Sequence, residues 1–114
     1  MKDDFIYIGH MLEEINKIEL SIKGVYKKDF LKDKLLQDAT IRRVEVIGEA
    51  TKNVSSKLRK KYPDVPWKKM TGTRDKLIHG YFIVDLDKIW GIVKMELSKL
   101  RKNLEKILKD KDLK

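Results

Sequence analysis

The chain has 114 residues, enough for one domain around one core. At 41% hydrophobic and 39% charged, with no apolar run of membrane-spanning length, it reads as neither disordered nor membrane-embedded; MKDDFIYIGH holds no signal-peptide core, so a cytoplasmic location is expected. It has no cysteine, which excludes disulfides, thiolate metal sites and cysteine nucleophiles, and its net charge of +9 suits a polyanion such as RNA or DNA, or else serves solubility.

Phe5, Ile8, Leu12, Ile15 and Ile22 keep a three-to-four spacing, which predicts a first helix over about Asp4–Ile22. Asp3 and Asp4 suit its positive N-terminal end, and Gly24 is placed to stop it. Residues 1–22 carry a net −3, so the rest of the chain carries +12. After a loop over 23–28, Asp29 is placed to cap a second helix running to about Lys60. Its stripe is Leu36, Val44, Ile47, Val54 and Leu58, widened by Ile41, Val46 and Ala50; a helix apolar on more than one side is expected at the centre of a bundle.

Pro63 and Pro66 break the chain at YPDVPW, inside a stretch with six bases (Lys57, Arg59, Lys60, Lys61, Lys68, Lys69) against Asp64. Pro66 suits the start of a third helix over about Trp67–His79, which Gly80 would end. Asp85 is placed to cap a fourth helix to about Lys109, striped by Leu86, Ile89, Trp90, Val93, Leu97, Leu100, Leu104 and Ile107. No segment alternates as a strand would. The expected fold is all-α, an antiparallel bundle of four to five helices in a single domain, 1–114.

The segment TRDKLIHGYF concentrates polar chemistry. Metal-free RNA cleavage needs a base for the 2′-hydroxyl proton, an acid for the leaving oxygen, and a cation beside the phosphate. Histidine suits the proton roles and arginine the phosphate; His79 and Arg74 supply one of each. Five residues along a regular helix turn the side chain by about 140°, so the two positions do not lie side by side. Either the helix unwinds near Gly80, or a second copy of the chain completes the site across a two-fold axis. The second route also answers the shortage of histidines, since the only other is His10, expected at the surface. A dipole-paired histidine and a solvated arginine are the plainer alternative.

The run R-D-K-L-I-H-G-Y (Arg74–Tyr81) matches the R-x4-H-x-Y motif of the HEPN ribonuclease toxins, in the branch paired with minimal nucleotidyltransferase (MNT) antitoxins. RRVEVIGEATK (Arg42–Lys52) resembles the central-helix signature of that branch, and Pro66–Trp90 resembles the block around its active motif. The resemblance implies an all-α homodimer with metal-independent endoribonuclease activity in a shared cleft, without a cofactor. It implies that Arg74 holds the phosphate, His79 transfers protons and Asp75 orients the site or its partner chain. Tyr81 would be the residue that a cognate nucleotidyltransferase antitoxin modifies with AMP, in a toxin–antitoxin hetero-oligomer. Arg42, Arg43, Glu45 and Glu49 either support the cleft or form a salt-bridged surface. Trp67 and Trp90 read as packing anchors. The competing classes are a non-catalytic helical subunit that binds a nucleotidyltransferase or nucleotide, and a basic RNA-binding bundle; the intact Arg74/His79 pair favours the enzyme.

Overall fold

The structure, a computed structural model, describes residues 2–79 and 85–112. Every regular element among them is helical: α1 (Lys2–Ile22), α2 (Lys27–Phe30), α3 (Lys34–Lys52), α4 (Ser56–Lys61), α5 (Trp67–His79), α6 (Leu86–Gly91) and α7 (Leu97–Asp112). A π-helical turn, Ile92–Glu96, joins the last two. The fold is the expected all-α class. No helix of the described residues is long and apolar enough to cross a membrane.

The α1 stripe is built as its spacing implies. Ile8, Ile15 and Ile22 are buried, with Met11 and Ile18 completing the face and Phe5 and Leu12 at its margin. Gly24 follows with φ +76, a backbone setting that costs glycine nothing and other residues a steric clash.

The second predicted helix is corrected at both ends. Asp29 lies within the one-turn α2, and the cap of α3 is Asp33, four residues later, whose carboxylate accepts the Leu36 N–H at 3.0 Å. Both aspartates carry the capping signal; packing decides between them. Phe30 is fully buried, and Gln37 Nε2 donates to its carbonyl at 2.9 Å, which fixes the turn ahead of α3. At the other end the helix stops at Lys52 rather than near Lys60. Ser55 donates both its backbone N–H and its hydroxyl to the Asp4 carboxylate, each at 2.7 Å, and caps α4 by accepting from the Leu58 N–H at 3.2 Å. Asp4, expected only to complement the α1 dipole, is buried and ties α1 to the α3–α4 joint.

Asp85 caps α6 as predicted, accepting the Lys88 N–H at 3.2 Å. The buried positions Ile89, Val93 and Leu97 take two successive steps of four, and each such step drifts by about 40° in an α-helix. The wider π turn absorbs that drift and lets one stripe continue through Leu100, Leu104 and Ile107.

α3 packs between α1 and α5, and α1 packs in turn on α7. Trp67 is buried, with its indole N–H donating to the Tyr62 carbonyl at 2.9 Å. Trp90 stacks obliquely on Phe30, ring centroids 5.1 Å apart. Both tryptophans are packing anchors here.

Candidate active site

α5 spans Trp67–His79, the predicted range, and its placement against α3 is set by one missing side chain. A Cβ at Gly48 would stand 2.2 Å from Arg74 Cβ and 2.8 Å from the Met70 carbonyl oxygen. The two helices therefore touch at Gly48, and the stem of Arg74 crosses it. Glycine inside a helix costs about 1 kcal/mol against alanine, and this close approach is what offsets that cost.

Arg74 Nη1 donates to Asp75 Oδ1 at 3.0 Å. The same oxygen takes Lys52 Nζ at 2.6 Å, from one turn beyond Gly48 on α3. Lys52, and then Arg74, hold the Asp75 carboxyl below the usual carboxylate range. Asp75 is thus charged at neutral pH, and the trio of two cations and one anion is net positive. Arg74 keeps 21% of its side chain exposed. Its Nε is buried and meets no acceptor among the described residues. With the stem on Gly48 and Nε enclosed, solvent reaches the guanidinium end. The trio suits an anion such as a phosphate, and no group of three or more histidine and acidic side chains among the described residues could hold a metal.

His79 is the last residue of α5, and the helix runs unbroken from Arg74 to it. Tyr81 and Gly80 lie outside the described residues.

The supporting candidates are not joined to Arg74. Arg43 pairs with Glu14 of α1 at 3.3 Å, and Glu45 pairs with Arg42 of its own helix at 3.3 Å. Glu49 is exposed and borders a groove of about 340 Å³ between α1 and α3, beside Tyr7, Glu13 and an exposed His10. On the flank of α5 away from α3, a groove of about 850 Å³ is rimmed by Lys68, Lys76 and Lys88 over Leu77, Ile92 and Met95.

Sequence reasoning missed Gly48 and Lys52. Both stand in the RRVEVIGEATK block, and a glycine inside a helical pattern was the available signal of a close contact.

The fold is an all-α bundle that carries an arginine–carboxylate–lysine trio between α3 and α5. Comparison with known proteins places it further. Residues 11–107 match the model of the family described as HepT-like, Ribonuclease HepT-like. The chain belongs to that family. It is 41% identical to the probable ribonuclease HepT of Thermococcus cleftensis, over 90% of this chain and 94% of that one. It is 42% identical to a candidate RNase of Caldanaerobacter subterraneus subsp. tengcongensis, over 95% and 96% of the two chains. It is also 46% identical to a protein of Methanocaldococcus jannaschii named a gamma-glutamylcyclotransferase and candidate RNase; 97% of this chain matches, spanning 50% of that relative's length. No solved structure matches the chain significantly.

Proposed function

We propose that the chain is a metal-independent endoribonuclease toxin that works as a homodimer in the cytoplasm and is silenced by a minimal nucleotidyltransferase antitoxin. The observation that carries this reading is the Arg74–Asp75 pair, anchored at Gly48 with its guanidinium end toward solvent, in a member of the HepT-like ribonuclease family.

Arg74 binds the scissile phosphate and stabilises the charge that builds on it. One His79 takes the proton of the 2′-hydroxyl, whose oxygen attacks the phosphorus. The His79 of a second copy protonates the 5′-oxygen as the P–O bond to it breaks. The second copy supplies the second histidine that an acid–base pair needs, since this segment holds one per chain. Asp75 fixes Arg74. Transfer of AMP from ATP to the Tyr81 hydroxyl, with release of pyrophosphate and the phenolic proton, adds a phosphate and a bulky base seven residues along the chain from Arg74, to compete with RNA for the same cation.

The test is RNA cleavage in EDTA by wild type, Arg74→Ala and His79→Ala. Cleavage by wild type and a loss of about a thousandfold in each variant is expected. Undiminished cleavage by both variants overturns the site. RNA binding that weakens steeply with salt while His79→Ala changes nothing points instead to a basic RNA-binding bundle. For the switch, Tyr81→Phe is expected to escape the antitoxin; a variant still fully controlled by it overturns that part.

A further inference from the structure

We infer that Lys52 is a positioning residue of this site, acting on Arg74 through Asp75. The inference rests on the reading of Arg74 as the phosphate ligand.

Three observations carry it. First, two successive turns of α3 address two successive residues of α5: Gly48 receives the stem of Arg74, and Lys52 reaches the carboxylate of Asp75. Second, Lys52 Nζ and Arg74 Nη1 converge on one oxygen, Asp75 Oδ1, at 2.6 and 3.0 Å. Arg74 Nε has no acceptor among the described residues, so Nη1 is the point at which its guanidinium is oriented. Third, the charges do not balance locally. With Lys52 the trio carries a net positive charge toward a phosphate. Without it, Asp75 would neutralise Arg74 one for one, and its carboxylate would be free to turn away from α3 and take the guanidinium with it.

The Lys52–Asp75 pair is half exposed on both sides, 41% and 46%, and pairs of that kind contribute little to folding stability. Its geometry, rather than its contribution to stability, is the reason to assign it a role. Lys52 touches neither substrate nor reacting atoms in this assignment, so it is distinct from a second phosphate ligand.

The experiment is a double-mutant cycle in RNA cleavage by the full-length protein. It uses Lys52→Met, Asp75→Asn, the pair together, Lys52→Arg and, as the control for the underlying reading, Arg74→Ala. Lys52→Met is expected to lower kcat/KM by about tenfold with the thermal midpoint nearly unchanged, Lys52→Arg to restore most of it, and Lys52→Met to add nothing on the Asp75→Asn background. If Arg74→Ala is inactive while Lys52→Met cleaves as wild type, the inference fails and the phosphate reading stands. If Lys52→Met lowers the rate equally with and without Asp75, Lys52 acts directly and the positioning role is overturned. If Arg74→Ala cleaves as wild type, the phosphate reading fails and this inference with it.

Discussion

The two sides of α3 make opposite use of the same helix. Toward α1 it presents Val44, Ile47 and Thr51, all buried, and the Thr51 hydroxyl is retired into the helix by donating to the Ile47 carbonyl at 2.7 Å. Toward α5 it presents Gly48 and Lys52, an absent side chain and a charged one. The first side excludes water and supports the fold. The second brings backbones together and leaves charge at the surface, where it can meet a ligand. One helix can do both because its faces are separated by about 100° per residue. The lesson is that substitutions one position apart on α3 should report on different properties.

The largest effect on stability is expected on the α1 side. Ile47→Ala removes most of a fully buried side chain from the central cluster and leaves a cavity, costing about 2–5 kcal/mol. Denaturant unfolding checks it, with the midpoint falling and the slope retained. A loss well under that range would mean α3 is not the centre of the core. Gly48→Ala, one residue on, comes next. Its Cβ would meet Arg74 Cβ and the Met70 carbonyl, and neither is the far end of a flexible chain, so α5 must shift. Overpacking of this kind costs about 1–3 kcal/mol. The sharper expectation is the split between readouts: RNA cleavage falls by more than the stability loss explains, because the displaced residue is Arg74.

How much of this was legible in advance follows the physics of each signal. The apolar stripes of α1 and the last helix, the Pro66 start of α5 and the Asp85 cap are local in sequence, and each stands where the residues put it. The joint at 53–55 was not legible. Asn53 and Ser55 favour helix ends, but the apolar stripe continues past them through Val54 and Leu58, and the break is held by a bond from Ser55 to Asp4, 51 residues away. The choice between Asp29 and Asp33 as cap likewise depended on burial of Phe30. In the site, residue types pointed to Arg74 and His79 and the family resemblance to Asp75, whereas Lys52 could be found only once α3 and α5 were seen side by side.

Ser55→Ala tests that long-range joint, with a smaller effect. It removes one of the two bonds to Asp4 and the α4 cap, and leaves the backbone N–H bond in place. A cost of about 0.5–2 kcal/mol is expected in denaturant unfolding, with RNA cleavage unchanged, since the joint belongs to the α1 side. A cleavage defect exceeding the stability loss would blur the division between the two sides of α3.

The smallest effect is one of pH, and it separates the sides by charge rather than packing. Asp75 is held below its ordinary value near 3.8, first by its bond from Lys52 and then by that from Arg74. A depressed carboxyl favours the folded state above its unfolded-state pKa, and that contribution is lost as pH falls through the lower, folded-state value. The window is therefore below about pH 3.8 and well under neutrality. Because the pair is exposed, the contribution is screened, and it should shrink further as salt is added. Thermal midpoints of wild type and Asp75→Asn, measured from neutral pH down through that window, are expected to converge at the acid end, where the wild-type carboxyl is also neutral. If they stay parallel across the whole range, the Lys52–Asp75–Arg74 contacts do not persist in solution. The α5 side of α3 would then lose the charged arrangement that distinguishes it from the α1 side.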